Sequence, residues 1–259
     1  MAKVVGGRHG RIAGVSDLLD IILRGGQLDK MSTMCGRFTL QTPVDQLVDQ
    51  FKLSKPPATQ LTLRFNVAPT QEVVAVRSAA GARVGDLLRW GLVPFWSKDL
   101  SIGSRLINAR SETIAEKPAF RSAFRSRRCL ILADGYYEWK ANGKRKEPYY
   151  IRLRDERPFA FAGLWEKWRQ DEQTTVHSCT IITTDSNELT AGLHHRMPVI
   201  LDEPDYDLWL DPEFEEPAPL LKLLAPYASD RMRFDSVTTH VNNVRNDDVK
   251  CVRIQRELF

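Results

Sequence analysis

No stretch of the 259-residue chain approaches the ~18–20 uninterrupted apolar residues that a membrane helix needs. Its most apolar N-terminal run, Ile12 to Leu23, carries Asp17 and Asp20 and has no suitably placed small-residue cleavage site. It is therefore a poor secretion signal, and the chain is read as cytoplasmic, with no membrane association. Cysteine is scarce as well. Cys35, Cys129, Cys179 and Cys251 stand far apart with no C-x-x-C pair, which argues against a zinc site and a secreted disulfide framework. Cys129 and Cys179 fall in apolar, strand-like stretches and read as core packing. Charge excess is small too: the formal net charge is +4, of which residues 1–33 hold +2. Any nucleic-acid site must then come from local arrangement, such as Arg125, Arg127 and Arg128, or Lys144, Arg145 and Lys146. By default such runs are solvated faces.

Aromatic residues are absent from 1–33, and Gly6-Gly7 and Gly25-Gly26 break that segment up. Apart from one short helix read at Ser16 to Leu23, capped by Ser16, residues 1–33 are expected to be a disordered extension or a misassigned start. They precede a single domain over 34–259. There the texture is that of a compact domain. Overall the chain is 42% hydrophobic and 27% charged, ordinary values for a soluble globular protein. Thr42-Pro43 ahead of Val44, Leu47, Val48 and Phe51 predicts a capped helix with proline in its first turn. Glu72–Val76, Gly85–Leu92, Arg128–Leu132, Tyr149–Leu153, Phe159–Leu164, Val176–Thr184, Val199–Leu201 and Arg233–Thr239 read as strands. Helices are predicted at Ser111–Phe124 and Ser186–Leu193, with short ones at Asp205–Leu210 and Pro219–Leu224. Many strands with few helices between them do not make a βαβ alternation. The expectation is one α+β domain with a curved, largely antiparallel, barrel-like sheet flanked by helices.

Cys35 directly follows Met34. If the chain begins at Cys35, that residue carries an amine of pKa roughly 7.7–8.0 and a thiol of about 8.5 on adjacent carbons. Such a pair condenses with an aldehyde: the amine forms a Schiff base and the thiol closes a five-membered thiazolidine. An internal cysteine cannot do this, because an amide nitrogen is not nucleophilic. The other reading of Cys35 is an ordinary buried cysteine. Trp90-Gly91-Leu92-Val93-Pro94-Phe95-Trp96 suits either a rigid turn offering rings to exposed bases or a corner of the core. Asn108 and Arg110 precede a helix that Ser111 can cap, where Arg110 is able to grip a phosphate; a routine helix entry is the alternative. Glu138 sits between Tyr137 and Trp139. Partial burial there suits it to proton transfer, and a solvent-facing strand position is the other option. His194 and His195 lie at an element boundary, where loops collect functional groups, though a lone histidine is more often structural.

The order of these motifs is more specific than any one of them. Met34-Cys35-Gly36-Arg37-Phe38 is followed by Arg64-Phe65-Asn66-Val67-Ala68-Pro69-Thr70, Trp90 to Trp96, Asn108-Ala109-Arg110-Ser111-Glu112-Thr113, Arg128-Cys129-Leu130-Ile131, Asp134-Gly135-Tyr136-Tyr137-Glu138-Trp139, Ala162-Gly163-Leu164-Trp165, Thr180-Ile181-Ile182-Thr183-Thr184 and His194-His195-Arg196-Met197-Pro198-Val199. From Met34 to about Val252 the chain resembles the SRAP family, the SOS-response-associated peptidase family.

The resemblance implies covalent capture of abasic sites in single-stranded DNA through a thiazolidine at an N-terminal cysteine, matched by Cys35. It implies that Asn108 orients the cysteine and the opened sugar, that Glu138 shuttles protons, and that His194 helps open the deoxyribose and supports β-elimination. Arg37, Arg110 and Arg196 match arginines that contact DNA phosphates, and Pro69 and Trp90 fall in motifs that line the DNA groove. Neither metal nor cofactor is expected, and the protein is read as a monomer in the cytoplasm, nucleoid-associated in a bacterium. The departure is residues 1–33 ahead of Cys35, read as a wrong start or as a segment removed by cleavage after Met34. Two other functions use the same residues: an autoproteolytic cysteine peptidase, and a non-catalytic module that binds single-stranded DNA.

Overall fold

The computed structural model describes residues 35–57, 61–143 and 145–255. The helix expected at Ser16–Leu23 and the reading of residues 1–33 lie outside them. The strands are β1 (Phe38–Leu40), β2 (Arg64–Val67), β3 (Glu72–Ala79), β4 (Ala82–Trp90), β5 (Asn108–Arg110), β6 (Arg128–Ala133), β7 (Gly135–Asn142), β8 (Arg145–Leu153), β9 (Phe159–Arg169), β10 (Thr175–Asp185), β11 (Arg196–Pro198), β12 (Ile200–Leu201) and β13 (Met232–Ser236). Short helices are α1 (Val44–Phe51), α2 (Arg121–Ser126), α3 (Tyr206–Leu210) and α4 (Pro217–Lys222).

Two sheets result. One runs β13-β8-β7-β1-β2; the other runs β11-β10-β4-β3-β6-β9-β12, with β5 paired to β10. All pairings are antiparallel except β10 with β4 and with β5, so the largely antiparallel α+β expectation holds, divided between two sheets.

The period-two alternation of side chains explains how these layers stack. On β3, Val74 and Val76 join one buried cluster, while Val73 and Ala75 join another. β6 divides in the same way, Leu130 and Leu132 against Cys129, Ile131 and Ala133. The larger sheet is therefore buried on both faces, which is why Arg128–Ala133 reads as an unbroken apolar run after its arginine. One face packs under the helices through Phe51, Phe124, Trp209 and Leu220. The other packs on the smaller sheet through Phe38, Tyr136, Ile151 and Met232. Cys35 lies in this second cluster, between the sheets.

Three local expectations fail for physical reasons. Ser111–Phe124 is not one helix: it holds a 3-10 turn at Ser111–Thr113 and then α2. Ser111 makes no side-chain cap bond and is the first residue of the turn. Ser186–Leu193 forms turns, with Asn187 Oδ1 accepting from the Thr190 amide and hydroxyl and competing with a helical ladder. At α1 the cap position is Pro43 itself, without a side-chain bond, because Thr42 is committed through its amide and hydroxyl to Asp134.

Of the basic run Arg125, Arg127 and Arg128, only Arg125 is exposed. Arg128 is buried and donates to the carbonyls of Trp209 (2.6 Å), Phe124 (2.7 Å) and Phe214 (2.9 Å), stitching α3 to β6; burial pulls its pKa down to about 10. Arg127 pairs with buried Glu166 at 2.9 Å. No helix among the described residues is long and apolar enough to cross a membrane.

Candidate active site

β7 carries Glu138 into the space between the sheets. The strand is central in its sheet, between β8 and β1, with Phe38 opposite Tyr136. Tyr136 and Glu138, two residues apart, share a face, and both are buried. Glu138 is 3% exposed, and its Oε1 accepts the backbone N–H of Cys35 at 2.9 Å. Loss of water around the carboxylate raises its pKa to about 7, against a smaller opposing pull from the Cys35 N–H bond. A carboxyl so placed can give or take a proton near neutral pH.

Cys35 itself is 1% exposed, with a positive φ of 36°. Burial, and secondly the charge of Glu138, hold its thiol well above the ordinary range. A cysteine nitrogen and a buried carboxyl thus meet across 103 residues of sequence.

Asn108 and the His194 segment frame the C-terminal end of β10. Ile181 of β10 pairs with Asn108 and Thr183 with Arg110 on one side, while Thr183 pairs with Pro198 on the other. Ile107 and Met197, the neighbours of Asn108 and Arg196, belong to the same buried cluster as Cys35. His194 is half-buried, and its Nδ1 accepts the Arg196 N–H at 3.0 Å. That bond leaves the ring's proton on Nε2. Burial, followed by His195 stacked at 4.4 Å, lowers the pKa of His194 and favours the neutral ring.

The arginines divide. Arg110 is exposed at the end of β5. Half-buried Arg37 donates through one nitrogen to Asn66 Oδ1 (2.9 Å) and the Val241 carbonyl (3.1 Å). Arg196, matched to a phosphate contact by resemblance, is instead committed within the protein. Its side chain is 6% exposed, grips both carboxylate oxygens of Glu112, and reaches Asp185 at 2.8 Å and the Thr183 carbonyl at 2.6 Å. It therefore ties the His194 segment to the turn after Asn108.

Trp90, expected to line a groove, is fully buried, and its Nε1 donates to the Ile107 carbonyl at 2.9 Å. The motif turns at Gly91, whose φ is 121° and where a Cβ would lie 2.6 Å from the Gly103 carbonyl oxygen. Beyond that turn Phe95 and Trp96 are 60% and 50% exposed, along a groove with Pro118, Arg121 and Arg125. The ring offered to solvent is thus the second tryptophan of the motif. Pro69 is half-buried beside Thr70, whose amide donates to the Trp90 carbonyl at 2.8 Å.

Residues near the C-terminus also hold the site, with little sequence signal beyond their Asn/Asp content. Asp247 accepts the amides of Phe65 (2.5 Å) and Asn66 (2.8 Å), and the Asn66 side chain donates to the carbonyls of Val241, Asn243 and Asn246. His240, Asp248 and Cys251 bring metal-type ligand atoms within 4.8 Å of one another. They are engaged in the same fastening: His240 Nε2 meets Asp248 at 3.0 Å and Cys251 Sγ donates to the Asn246 carbonyl at 3.4 Å.

Residues 34–244 match the family described as SOS response associated peptidase (SRAP). The chain belongs to the SRAP family. It is 43% identical over 222 residues to the Bacillus subtilis abasic site processing protein YoqW, covering 85% of this chain and 99% of that protein. It is also 43% identical over 228 residues to YoaM of the same species, with 87% and 100% covered. A crystal structure of a Bacteroides thetaiotaomicron protein superposes with a TM-score of 0.76 at 27% identity, covering 85% of this chain and all of the other.

Proposed function

We propose that this SRAP protein processes abasic sites in single-stranded DNA, and that it does so by covalent capture once Cys35 is the first residue. The observation that carries this reading is the 2.9 Å contact between the Cys35 nitrogen and buried Glu138. With Cys35 first, that nitrogen is an amine, and its partner is a carboxyl that burial raises to about 7 in the full chain, where the nitrogen is an amide. Neutral His194 gives its Nε2 proton to the ring oxygen as the deoxyribose opens to its aldehyde, and the imidazole recovers a proton shed by the C1′ hydroxyl through solvent water. As the amine lone pair forms the C–N bond to C1′, Glu138, protonated at the outset, gives its proton to the carbonyl oxygen, which becomes a hydroxyl, and is left as a carboxylate. Glu138 takes the proton shed by nitrogen and returns it to that hydroxyl, which leaves as water. The thiol then adds to the resulting iminium carbon and closes the thiazolidine, and its proton passes to the Glu138 carboxylate, which returns to the acid form. Asn108 orients the sugar. Arg37 and Arg110 contact phosphates, and Phe95 and Trp96 offer faces on which bases stack, worth about 1–3 kcal/mol per base.

The test is a denaturing gel of protein begun at Cys35 with an oligonucleotide bearing one abasic site. A stable, heat-resistant adduct that Cys35→Ala abolishes is expected. No adduct, with Cys35 verified as first residue, overturns the proposal.

The same contact favours a second reading, self-processing. In the full chain Glu138 lies against the nitrogen of the Met34–Cys35 peptide bond. Mass spectrometry of the 1–259 chain tests it: loss of residues 1–34, blocked by Glu138→Ala, supports cleavage, and an intact chain counts against it.

A further inference from the structure

Tyr136 holds a buried hydroxyl that neither the fold nor the chemistry above employs. The residue is fully buried, and its phenol oxygen has no hydrogen-bond partner among the described residues. The other buried tyrosines nearby are different: Tyr137 donates to the Phe65 carbonyl at 2.7 Å, and Tyr150 meets Thr39 at 3.0 Å and Gln41 at 3.2 Å. A buried phenol without an acceptor is costly, and phenylalanine would fill the same space without that cost.

The position is also specific. Tyr136 precedes Glu138 by two residues on the same face of β7 and shares the buried cluster of Cys35, Ile107 and Met197. Its ring is fixed, edge-on to Phe161 at 6.1 Å and directly opposite Phe38. Burial first, then the neighbouring Cys35 and Glu138, raise its pKa well above the ordinary value, so the group keeps its proton and acts only as a donor.

We propose that the Tyr136 hydroxyl is a further catalytic group of this site, donating a hydrogen bond to the C1′ oxygen of the opened abasic sugar. This rests on the covalent-capture reading. The aldehyde oxygen gains negative charge as the amine adds, and a fixed donor aimed at that oxygen is stronger in the transition state than in the ground state. Tyr136 keeps its proton throughout, and the water that leaves takes its second proton from Glu138. The acceptor that the described residues lack is then supplied by the substrate.

Tyr136→Phe removes only this oxygen. In single-turnover reactions of protein begun at Cys35, borohydride-trapped Schiff base should form roughly 10²–10³-fold more slowly than in the wild type. Affinity for single-stranded DNA carrying tetrahydrofuran, which lacks the C1′ oxygen, should stay within about twofold, because the lost bond has no acceptor there. The melting temperature should not fall. An unchanged trapping rate overturns the proposal, as does a slower rate accompanied by weaker tetrahydrofuran binding and a lower melting temperature, which marks a packing role. Absence of any adduct in the wild type removes the capture reading and this one together, whereas normal adduct formation by Tyr136→Phe removes this one alone. Should that variant not fold, 3-fluorotyrosine at position 136 retains hydroxyl and ring. Its fluorine resonance must move on adduct formation, and an unmoved signal counts as refutation.

Discussion

Glu138→Gln separates what burial does to stability from what the carboxyl does in chemistry. The substitution keeps size and an oxygen able to accept the Cys35 N–H bond at 2.9 Å, and removes only the titration. In the folded protein burial moves Glu138 from its ordinary 4.5 to about 7. The folded state therefore holds this proton more tightly than the unfolded state does. The stabilisation is complete below about pH 4.5, fades as pH rises, and is gone above about pH 7. At 1.36 kcal/mol per unit, that interval corresponds to about 3 kcal/mol. Urea unfolding of the 1–259 chain, where Cys35 carries a plain amide, reads this directly. Between pH 5 and pH 8 the wild type should lose about 3 kcal/mol that the glutamine variant retains. Parallel pH profiles for the two proteins would falsify the claim that the carboxyl is desolvated. In protein begun at Cys35 the same variant should form adduct roughly 10²–10⁴-fold more slowly, the range for a lost proton-transfer group. Wild-type kinetics would remove Glu138 from the reaction.

Arg196→Ala should destabilise the fold by about 1.5–3 kcal/mol, since it removes the charge-assisted bonds to Glu112 and the Thr183 carbonyl while the carboxylates left behind stay partly solvated; chemical denaturation measures this. Arg110→Ala should leave stability unchanged, weaken binding to single-stranded DNA, and flatten the salt dependence by about one contact, as read by anisotropy across a salt series. Trp96→Ala should cost about 1–3 kcal/mol of DNA affinity without lowering the melting temperature, whereas truncation of buried Trp90 should act on stability. Gly91→Ala should cost at least about 2 kcal/mol of stability, because the new Cβ meets the Gly103 backbone at a φ of 121°.

The sheet layers were legible because period-two alternation and β-branched runs are local properties of sequence. Val73 to Val76 and Cys129 to Ala133 announce strands whatever surrounds them. Glu138 was legible only in part: its aromatic neighbours mark it out, but in strand spacing Tyr137 and Trp139 face the other way, so a solvent-facing position reads as well until Tyr136 and Cys35 are found on its own side. What escaped depended on partners remote in sequence. Trp90 and Trp96 are equivalent on paper, and only the turn at Gly91 against Gly103 sends one inward and the other out. Arg196 reads as a free cation until Glu112 and Asp185, 84 and 11 residues away, arrive beside it. The helix expected at Ser111–Phe124 was overridden by Glu112 turning to meet Arg196 and by Pro118 breaking the ladder. Unused hydrogen-bonding capacity, as at Tyr136, has no sequence signature at all.

The electrostatics of Cys35 fix the order of bond formation on the proposed route. Before DNA binds, burial and the adjacent Glu138 charge both disfavour a thiolate. The thiol is then a poor nucleophile and the amine must act first. Once the Schiff base forms, its iminium places a positive charge beside the sulfur and reverses the local field, so the thiol ionises only when its target carbon exists. Iodoacetamide tests this without DNA chemistry. In the native 1–259 chain at pH 8, Cys35 should alkylate at least about tenfold more slowly than a free cysteine, and denaturation should restore the ordinary rate. Alkylation of native Cys35 as fast as the free amino acid would show that the thiol is ionised and accessible from the outset, and the amine-first sequence would then lose its physical basis.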